Sequence, residues 1–395
     1  MQTLDLSPRD PQFVQNPYAA YDAARRRGPV LYWEQYGMAA VFDAASVRAL
    51  LRDKRLGREV PAARGADAPA HLAAFHAVEA HSMLELEPPC HTRLRGLVLR
   101  AFTSRRIAGL GPDITAVADE LIAALPRDAP FDLVAAYCTE LPVRIIARLL
   151  GVPEGMAPDL LRWSHDMVAM YQARRGREIE HRANAAAAEF TAFLRDYIEH
   201  RRDRPGDDLI SHLIAAREED GARLSTDEMI GTCILLLNAG HEATVHSLGN
   251  AVKCLLEHDT PLDTLAPDRV AATVEELLRY DPPLHMFTRH VYKDVDAGGE
   301  TLRAGSEVAL MLGAACRDPA RFADPHVFDP ARIPAAHEAF GGGPHFCVGA
   351  PLARLEMQIA LPRLFDALPG LRLAEAPRYA DSYHFHKLDR LMLQA

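Results

Sequence analysis

The spacing of apolar residues divides this chain into many helical stretches and a few short extended ones. Apolar positions recur every three or four residues in most of the chain, which predicts amphipathic helices. These stretches are 18–27, 44–52, 88–102, 112–125, 130–151, 157–175, 178–202, 225–257 and 351–368. Strands are predicted over 30–33 and 38–42, and the segment 284–289 follows two prolines that favour extended backbone. The pattern therefore predicts a mainly helical protein.

The longest helix carries polar residues in the middle of an apolar run. Ser225 and Glu228 form a capping box, and the apolar run that follows extends to about residue 257. Within it, Gly240 permits a local widening of the helix or the close approach of a ligand. Glu242 lies among apolar residues, where a carboxylate is expected to be partnered or functional. A glycine at a helix–helix contact beside a hydrogen-bonded glutamate fits the same pattern.

A glycine-rich loop over 340–350 holds one cysteine just ahead of the last predicted helix. The N–H groups and dipole at the start of that helix favour a thiolate at Cys347, and a thiolate is a good axial ligand for haem iron. A phosphate cradle would require Gly-Lys-Ser/Thr, which does not follow this loop. A catalytic nucleophile and a buried structural cysteine remain as alternatives.

Charge, cysteine spacing and hydropathy restrict the class of protein. The formal net charge of −10 argues against nucleic acid as a partner. The six cysteines show no zinc-like spacing, so reduced thiols in a cytoplasmic protein are the simplest account. The sequence contains no run of about 18 apolar residues, so we expect no membrane span. The first residues lack the pattern of a signal peptide. We expect a cytoplasmic protein with no membrane partner.

Two short patterns suggest charged pairs. His91 and Arg95 are four residues apart on one helix face and suit a carboxylate, although a solvated basic face is a common alternative. Glu276 and Arg279 are three apart and can pair, as many surface salt bridges do.

Together these motifs resemble the cytochrome P-450 family. The glycine-rich loop resembles its haem signature at Phe340, Gly341, Gly343, His345, Cys347 and Gly349. The segment 87–95 is similar to its Asp-Pro-Pro-x-His-x-Arg-x-Arg motif, with Glu87 in place of Asp. The resemblance implies the P-450 fold, a mainly α triangular helical prism in a single domain of residues 1–395. Its small β-rich region would cover roughly 28–60, 284–312 and 371–395.

The resemblance also implies a role for each matching residue. Cys347 would bind the iron of haem b. The other residues around the haem would be His91, Arg95, Ala239, Arg289, Phe340, His345 and Gly349. A structural triad would comprise Glu276, Arg279 and Arg332. Substrate contacts would be Met167, Met170, Leu284, Phe287, His384 and Phe385. The two methionines are also typical of ordinary core. The histidines beside Phe385 would also suit a metal site.

The oxygen-binding motif of the family is present with one departure. Ala239, Gly240 and Glu242 match it, but Ala243 stands where the family has a threonine that bonds iron-bound dioxygen and helps to deliver protons. Thr244 follows about 100° further round the helix. We therefore expect Glu242 to relay protons, with Gly240, Ala243 and Thr244 around it; an ordered water or a substrate hydroxyl is the alternative.

The function implied is a monooxygenase. It would insert one oxygen atom from dioxygen into a small or medium hydrophobic substrate, by hydroxylation or oxidative dealkylation. The sequence has no flavin or iron–sulfur signature, so a ferredoxin and an NAD(P)H-dependent ferredoxin reductase are expected to supply electrons. Ala243 makes a peroxide-driven haem-thiolate peroxygenase the main alternative, and a non-catalytic haem or ligand-binding sensor is a further one.

Overall fold

The computed structural model describes residues 1–61, 69–171, 175–216, 221, 223–383 and 385–395. Its helices are α1 Pro11–Gln15, α2 Tyr18–Arg27, α3 Ala44–Leu50, α4 Ala73–Glu79, α5 Cys90–Ala101, α6 Ser104–Gly109, α7 Gly111–Ala124, α8 Glu140–Leu150, α9 Ala157–Val168, α10 Arg177–Asp203, α11 Leu209–Ala215, α12 Thr226–Glu257, α13 Val270–Tyr280, α14 Leu312–Cys316 and α15 Ala350–Ala367. Its strands are β1 Gln2–Leu4, β2 Val30–Trp33, β3 Met38–Val41, β4 Leu56–Gly57, β5 Phe131–Asp132, β6 Phe287–Val291, β7 Val295–Ala297, β8 Glu300–Leu302, β9 Glu307–Leu310, β10 Arg372–Leu373, β11 Arg378–Tyr379, β12 Leu388–Arg390 and β13 Met392–Gln394.

Two segments differ from the predicted pattern. The weak periodicity of 58–80 predicts a loop with at most a helical turn, but α4 forms within this segment and buries Phe75 and Val78. The segment 130–151, expected to be one helix, begins with the two residues of β5 and continues through the π-helical turn Val134–Cys138 into α8. Strand β5 pairs with β13, near the other end of the chain, so a purely local pattern could not indicate it.

The strands form a peripheral β region against the helices. The largest sheet has six strands in the order β1-β2-β3-β9-β6-β4, and β10, β13 and β5 form a second sheet. Strand β6 follows Pro282 and Pro283 and lies between β9 and β4, which fixes the direction of Arg289. The sheet thereby holds one wall of the central cavity described below.

Helix α12 is the central element of the helical region. Its 32 residues span about 48 Å, and the predicted capping box is formed at Ser225 and Glu228. The helix is continuous through Gly240. A Cβ at Gly240 would lie 3.3 Å from Ile146 Cδ1, so this glycine permits the close packing of α12 on α8. The local widening considered from the sequence does not occur.

A buried ion pair ties α13 to the segment before the cysteine loop. Arg279 donates two hydrogen bonds of 2.7 Å to the carboxylate of Glu276 and two more to the carbonyls of Cys316 and Pro325. Arg332 lies 3.1 Å from the same carboxylate. Glu276 and Arg279 are 3% and 2% exposed, so this is not the surface pair that the short motif alone would suggest.

Arg279→Met should lower the free energy of unfolding by about 3–5 kcal/mol, because it leaves a buried carboxylate with only part of its charge compensated. Urea unfolding followed by far-ultraviolet circular dichroism measures the change. Arg269→Met is the matched control, since Arg269 pairs with Asp263 on the surface and its loss should cost at most about 1 kcal/mol. Equal losses in the two variants would show that the buried pair has no special structural role.

Candidate active site

A cavity of about 280 Å³ lies between α5, α12, β6 and the loop that precedes α15. Segments far apart in the sequence meet around it. The predicted site residues that line it are His91, Arg95, Ala239, Gly240, Glu242, Ala243, Thr244, Leu284, Phe287, Arg289, Phe340, His345, Cys347, Gly349 and Phe385. Most of the other lining side chains are apolar, so the cavity favours an apolar molecule with a few charged or polar groups.

The cysteine loop reaches the cavity through two tight turns. Gly341 and Gly343 each have a φ of +67°, and a Cβ at Gly343 would lie 2.1 Å from the carbonyl oxygen of Leu51. Only glycine fits such a close approach at positive φ. The N–H of Cys347 donates to the carbonyl of Phe340 at 3.1 Å, which closes the loop.

The thiol of Cys347 faces the cavity at the start of α15. Its side chain is exposed because it borders this open space, although protein surrounds the space itself. That burial raises the pKa of the Cys347 thiol, while the N–H groups of Gly349 and Ala350 and the nearby Arg95 act in the opposite direction. A positive ion beside the sulfur would complete the stabilisation of a thiolate.

Cationic side chains converge on the cavity without a carboxylate for each. Arg289 is 4% exposed and donates to the carbonyl of Thr288, and no acidic side chain in the described part of the chain forms an ion pair with it. Burial and the nearby Arg58 lower the pKa of Arg289 to about 10. His91 is 2% exposed, and its Nδ1 atom has no hydrogen-bond partner among the described residues.

The carboxylate of Glu87, next to these side chains, is already engaged. His345 Nε2 lies 2.9 Å from Glu87 Oε1, which also accepts a hydrogen bond from the backbone N–H of Arg58. Burial, together with His345 and Arg95, lowers the pKa of His91 to about 4. An anionic ligand with two carboxylates would therefore find two guanidinium groups, those of Arg95 and Arg289, and the unpartnered ring nitrogen of the neutral His91.

Glu242 is buried among three histidines. Its Oε1 accepts from His246 Nε2 at 3.2 Å, and its Oε2 lies 3.4 Å from His241 Nε2 and 3.5 Å from His165 Nε2. Burial disfavours the charged form, but the contacts with His241 and His246 outweigh it and hold the pKa of Glu242 well below its usual range. The carboxylate is thus ionised and oriented beside the cavity.

The hydroxyl groups near Glu242 are bonded to the helix itself. Thr244 donates to the carbonyl of Gly240 at 3.3 Å, and Ser247 donates to the carbonyl of Ala243 at 2.9 Å. Ala243 lines the cavity and offers no hydroxyl. Because Thr244 is held by its own helix, it is a poor substitute for a hydroxyl at position 243.

The predicted substrate contacts separate into two groups. Leu284 and Phe385 form a β-bridge and line the cavity with Phe287. Met167, on α9, and Met170, in the 3₁₀ turn Ala169–Tyr171 that follows it, do not line the cavity; they are 1% and 4% exposed and belong to the main core. Their positions match the ordinary core that the sequence left as the alternative. His384 lies outside the described residues.

Arg58, Glu79 and Asn238 are polar residues that line the cavity but were not predicted as site residues. Burial and the nearby Glu85 raise the pKa of Glu79 to about 7. Asn238 donates to Met167 Sδ at 3.9 Å, and its Oδ1 has no hydrogen-bond partner among the described residues. Asn238 was visible as a polar residue in an apolar helix, whereas Arg58 and Glu79 belong to no recognisable motif.

Comparison with known proteins decides the family. The family model described as "Cytochrome P450" matches residues 270–368. The chain is 40% identical to a vitamin D(3) 25-hydroxylase from Pseudonocardia autotrophica, over 92% of this chain and 89% of that protein. The chain belongs to the cytochrome P450 family. It is a haem-thiolate monooxygenase by class, as the resemblance implied.

Other P450 relatives extend the likeness over nearly the whole chain. The cytochrome P450 monooxygenase PikC from Streptomyces venezuelae is 37% identical, over 95% of this chain and 89% of that protein. The solved structure of P450BioI with a fatty-acid-loaded acyl carrier protein has a TM-score of 0.91 at 34% identity and covers 97% of this chain and 99% of that chain. The predicted mainly α P450 fold is thereby confirmed.

P450 enzymes use a haem and generally require redox partners. The cavity fits a haem, because it combines the thiol of Cys347 with the guanidinium groups of Arg95 and Arg289 and with the unpartnered ring nitrogen of His91. In the part of the chain that the structure describes, no helix has the length and apolar character needed to cross a bilayer.

Proposed function

We propose that this P450 binds haem b through Cys347 and inserts one oxygen atom from dioxygen into a small or medium hydrophobic substrate. One observation carries the proposal: the cavity that contains the thiol also contains unpaired cations and the ionised Glu242. A structural cysteine would not require such surroundings. The likeness to hydroxylases over most of the chain supports the same reaction.

The residues that line the cavity would have separate roles. When bound, haem b supplies the redox chemistry that activates dioxygen. Cys347 would provide the axial sulfur, and the N–H groups of Gly349 and Ala350 would stabilise its negative charge. His91, Arg95 and Arg289 would hold the two propionates, whose burial requires compensating charge. Phe340, His345, Ala239 and Gly349 would complete the surroundings.

Glu242 would relay protons into the cavity. It is ionised, it is fixed by His246 Nε2, and it lies on α12 one residue before Ala243. A positioned carboxylate can accept a proton on one side and release it on the other. Because Thr244 and Ser247 donate to backbone carbonyls, Glu242 is the main side chain available for this role.

The substrate would contact Leu284, Phe287 and Phe385. These side chains are apolar, and the β-bridge between Leu284 and Phe385 brings two distant segments to the same place. The free Oδ1 atom of Asn238 would accept one hydrogen bond from a substrate hydroxyl or amine. Two relatives are named for vitamin D(3) and for 6-deoxyerythronolide B, and P450BioI was solved with an acyl carrier protein that carries hexadec-9Z-enoic acid.

A ferredoxin and an NAD(P)H-dependent ferredoxin reductase would supply the electrons. The arginines that would meet an acidic ferredoxin are Arg93, Arg100, Arg105, Arg106 and Arg354. Three of them already have acidic partners within the chain, Arg93 with Glu228, Arg106 with Asp207 and Arg354 with Glu275. Docking would therefore exchange internal ion pairs for intermolecular ones, which favours a transient complex that weakens with salt.

Arg289→Met should weaken haem binding by about 10- to 100-fold, because a charged hydrogen bond is worth roughly 1.5–3 kcal/mol. The haem-free protein should be as stable as the parent or more stable, since a buried unpaired charge disappears. Haem transfer to apomyoglobin measures affinity, and thermal unfolding of the haem-free protein measures stability. Arg303→Met, at an exposed pair with Asp294, is the control. Unchanged haem affinity in Arg289→Met would contradict the propionate role.

An optical titration of the ferric protein tests the substrate class. Apolar compounds from the terpenoid, aromatic and polyketide classes should convert the spectrum towards the high-spin form with one saturating site.

The best compound then tests the electron source. Turnover with ferredoxin, reductase and NAD(P)H supports the monooxygenase, whereas turnover with peroxide alone would replace it with the peroxygenase alternative suggested by Ala243. Binding without any oxidation would favour a sensor.

A further inference from the structure

A cluster of metal-ligating atoms lies beside the cavity and apart from Cys347. We propose that His165, His241 and Glu242 bind a divalent transition-metal ion, with zinc as the representative. The three ligand atoms are Nε2 of each histidine and Oε2 of the glutamate, and they lie within 4.8 Å of one another. Two imidazoles and one carboxylate are a ligand set that zinc, cobalt and copper ions accept.

The distances fit one ion. Oε2 of Glu242 is 3.4 Å from His241 Nε2 and 3.5 Å from His165 Nε2. Zinc binds such atoms at about 2.0–2.2 Å with tetrahedral angles, which separates two ligand atoms by about 3.4 Å. The carboxylate oxygen is therefore already at the spacing from both nitrogens that a shared ion requires.

The orientation of His241 presents a lone pair to that space. Its Nδ1 lies 3.0 Å from the carbonyl of Leu237, which can only accept, so Nδ1 carries the proton. Nε2 is fully buried, lies 3.4 Å from Oε2 of Glu242 and has no hydrogen-bond partner among the described residues. With the ring proton on Nδ1, the lone pair of Nε2 is available to a metal ion placed between the two atoms.

Neighbouring groups support the first ligands. His246 Nε2 donates to the other oxygen of Glu242 at 3.2 Å, and the Leu237 carbonyl orients His241. Such outer hydrogen bonds fix metal ligands and raise their affinity. The side chain of His165 is 54% exposed, which gives an ion a route from solvent. The fourth position is left for water.

A second buried cluster shows what a satisfied arrangement looks like. Asp281, His285 and His386 also bring ligand atoms together, but tyrosine hydroxyls already bond Asp281 and His285, and His386 Nε2 lies 3.4 Å from Asp281. Tyr18 and Tyr379 donate to Asp281, and Tyr21 contacts His285 Nδ1 at 2.8 Å. That cluster functions as a hydrogen-bond network, whereas the cluster at Glu242 has an unpartnered nitrogen.

The bound ion would join α9 to α12. His165 belongs to α9, and the other two ligands belong to α12, so the ion would restrict movement of α9 over the cavity. It would also occupy a carboxylate oxygen of the proposed proton relay. Zinc is therefore expected to inhibit turnover, an effect that depends on the proposed function, whereas zinc binding itself does not.

Isothermal titration calorimetry of the haem-loaded protein with zinc chloride tests the site. The parent should bind one zinc ion. His165→Gln should weaken binding by more than the roughly 10- to 100-fold that loss of an outer-shell partner costs. His200→Gln, an exposed histidine on α10, is the matched control and should bind as the parent does. In turnover, zinc should slow the parent by at least about 10-fold relative to its own zinc-free rate and His165→Gln much less.

Three results would overturn the site: no stoichiometric zinc uptake by the parent, equal affinity in the parent and His165→Gln, or equal loss in His165→Gln and His200→Gln. The haem spectrum of each variant verifies that it is folded. If zinc binds as described but does not slow turnover, the metal site stands and the relay role of Glu242 is refuted.

Discussion

Cys347→Ser is expected to remove the thiolate-type spectrum of the reduced, carbon monoxide-bound protein and to lower turnover by at least about 1000-fold, or ~4 kcal/mol in the barrier. A serine hydroxyl does not ionise at neutral pH and pushes far less electron density to the iron than a thiolate. The loop should keep its shape, since its turns depend on Gly341 and Gly343 and its closing hydrogen bond uses the backbone of residue 347.

Cys90→Ser is the matched control for this substitution. Cys90 is also an exposed cysteine at the start of a helix, but it does not line the cavity. Its variant should retain the spectrum and the turnover of the parent. A thiolate-type spectrum that survived in Cys347→Ser would show that another cysteine binds the iron.

Glu242→Gln is expected to lower product formation by about 100- to 10,000-fold, the range that a positioned acid–base group contributes. Glutamine keeps the size and one hydrogen bond to His246 but cannot take up a proton. Oxygen consumption should fall less than product formation, with more oxygen released as peroxide. The solvent deuterium isotope effect on product formation should rise, because proton delivery becomes slower.

Glu257→Gln separates this effect from a general loss of charge on α12. Glu257 belongs to the same helix and pairs with Lys253 at 2.7 Å near the helix end, away from the cavity. Its variant should show the coupling and isotope effect of the parent. If Glu242→Gln does the same, protons reach the cavity by another route, for example through ordered water.

The parts of the site that the sequence predicted are local motifs. Cys347 was recognisable because glycines and a helix start surround it, and His91 and Arg95 because they are four apart on one helix. Arg289 could be identified only from the family's pattern, because its burial without an acidic partner depends on β6 lying between β9 and β4. Local spacing identified candidate ligands, and the sheet and α12 brought them to one cavity.

What the sequence did not predict depends on contacts between distant segments. His165 on α9 approaches His241 and Glu242 on α12 only because those helices pack together. Met167 lies two residues from His165, yet it turns into the core, a distinction that the spacing of apolar residues in α9 did not reveal. Glu79 lines the cavity from α4, a helix that the weak periodicity of its segment did not indicate.

The most direct test of the central claim is the fate of isotopically labelled dioxygen. The purified protein would receive ferredoxin, reductase, NAD(P)H and the compound selected by optical titration under oxygen-18 gas, and the product would be analysed by mass spectrometry. The account predicts one labelled oxygen atom in each product molecule and none in product formed by Cys347→Ser above background. Product that contains only unlabelled oxygen, or no product with the complete electron chain, would contradict it.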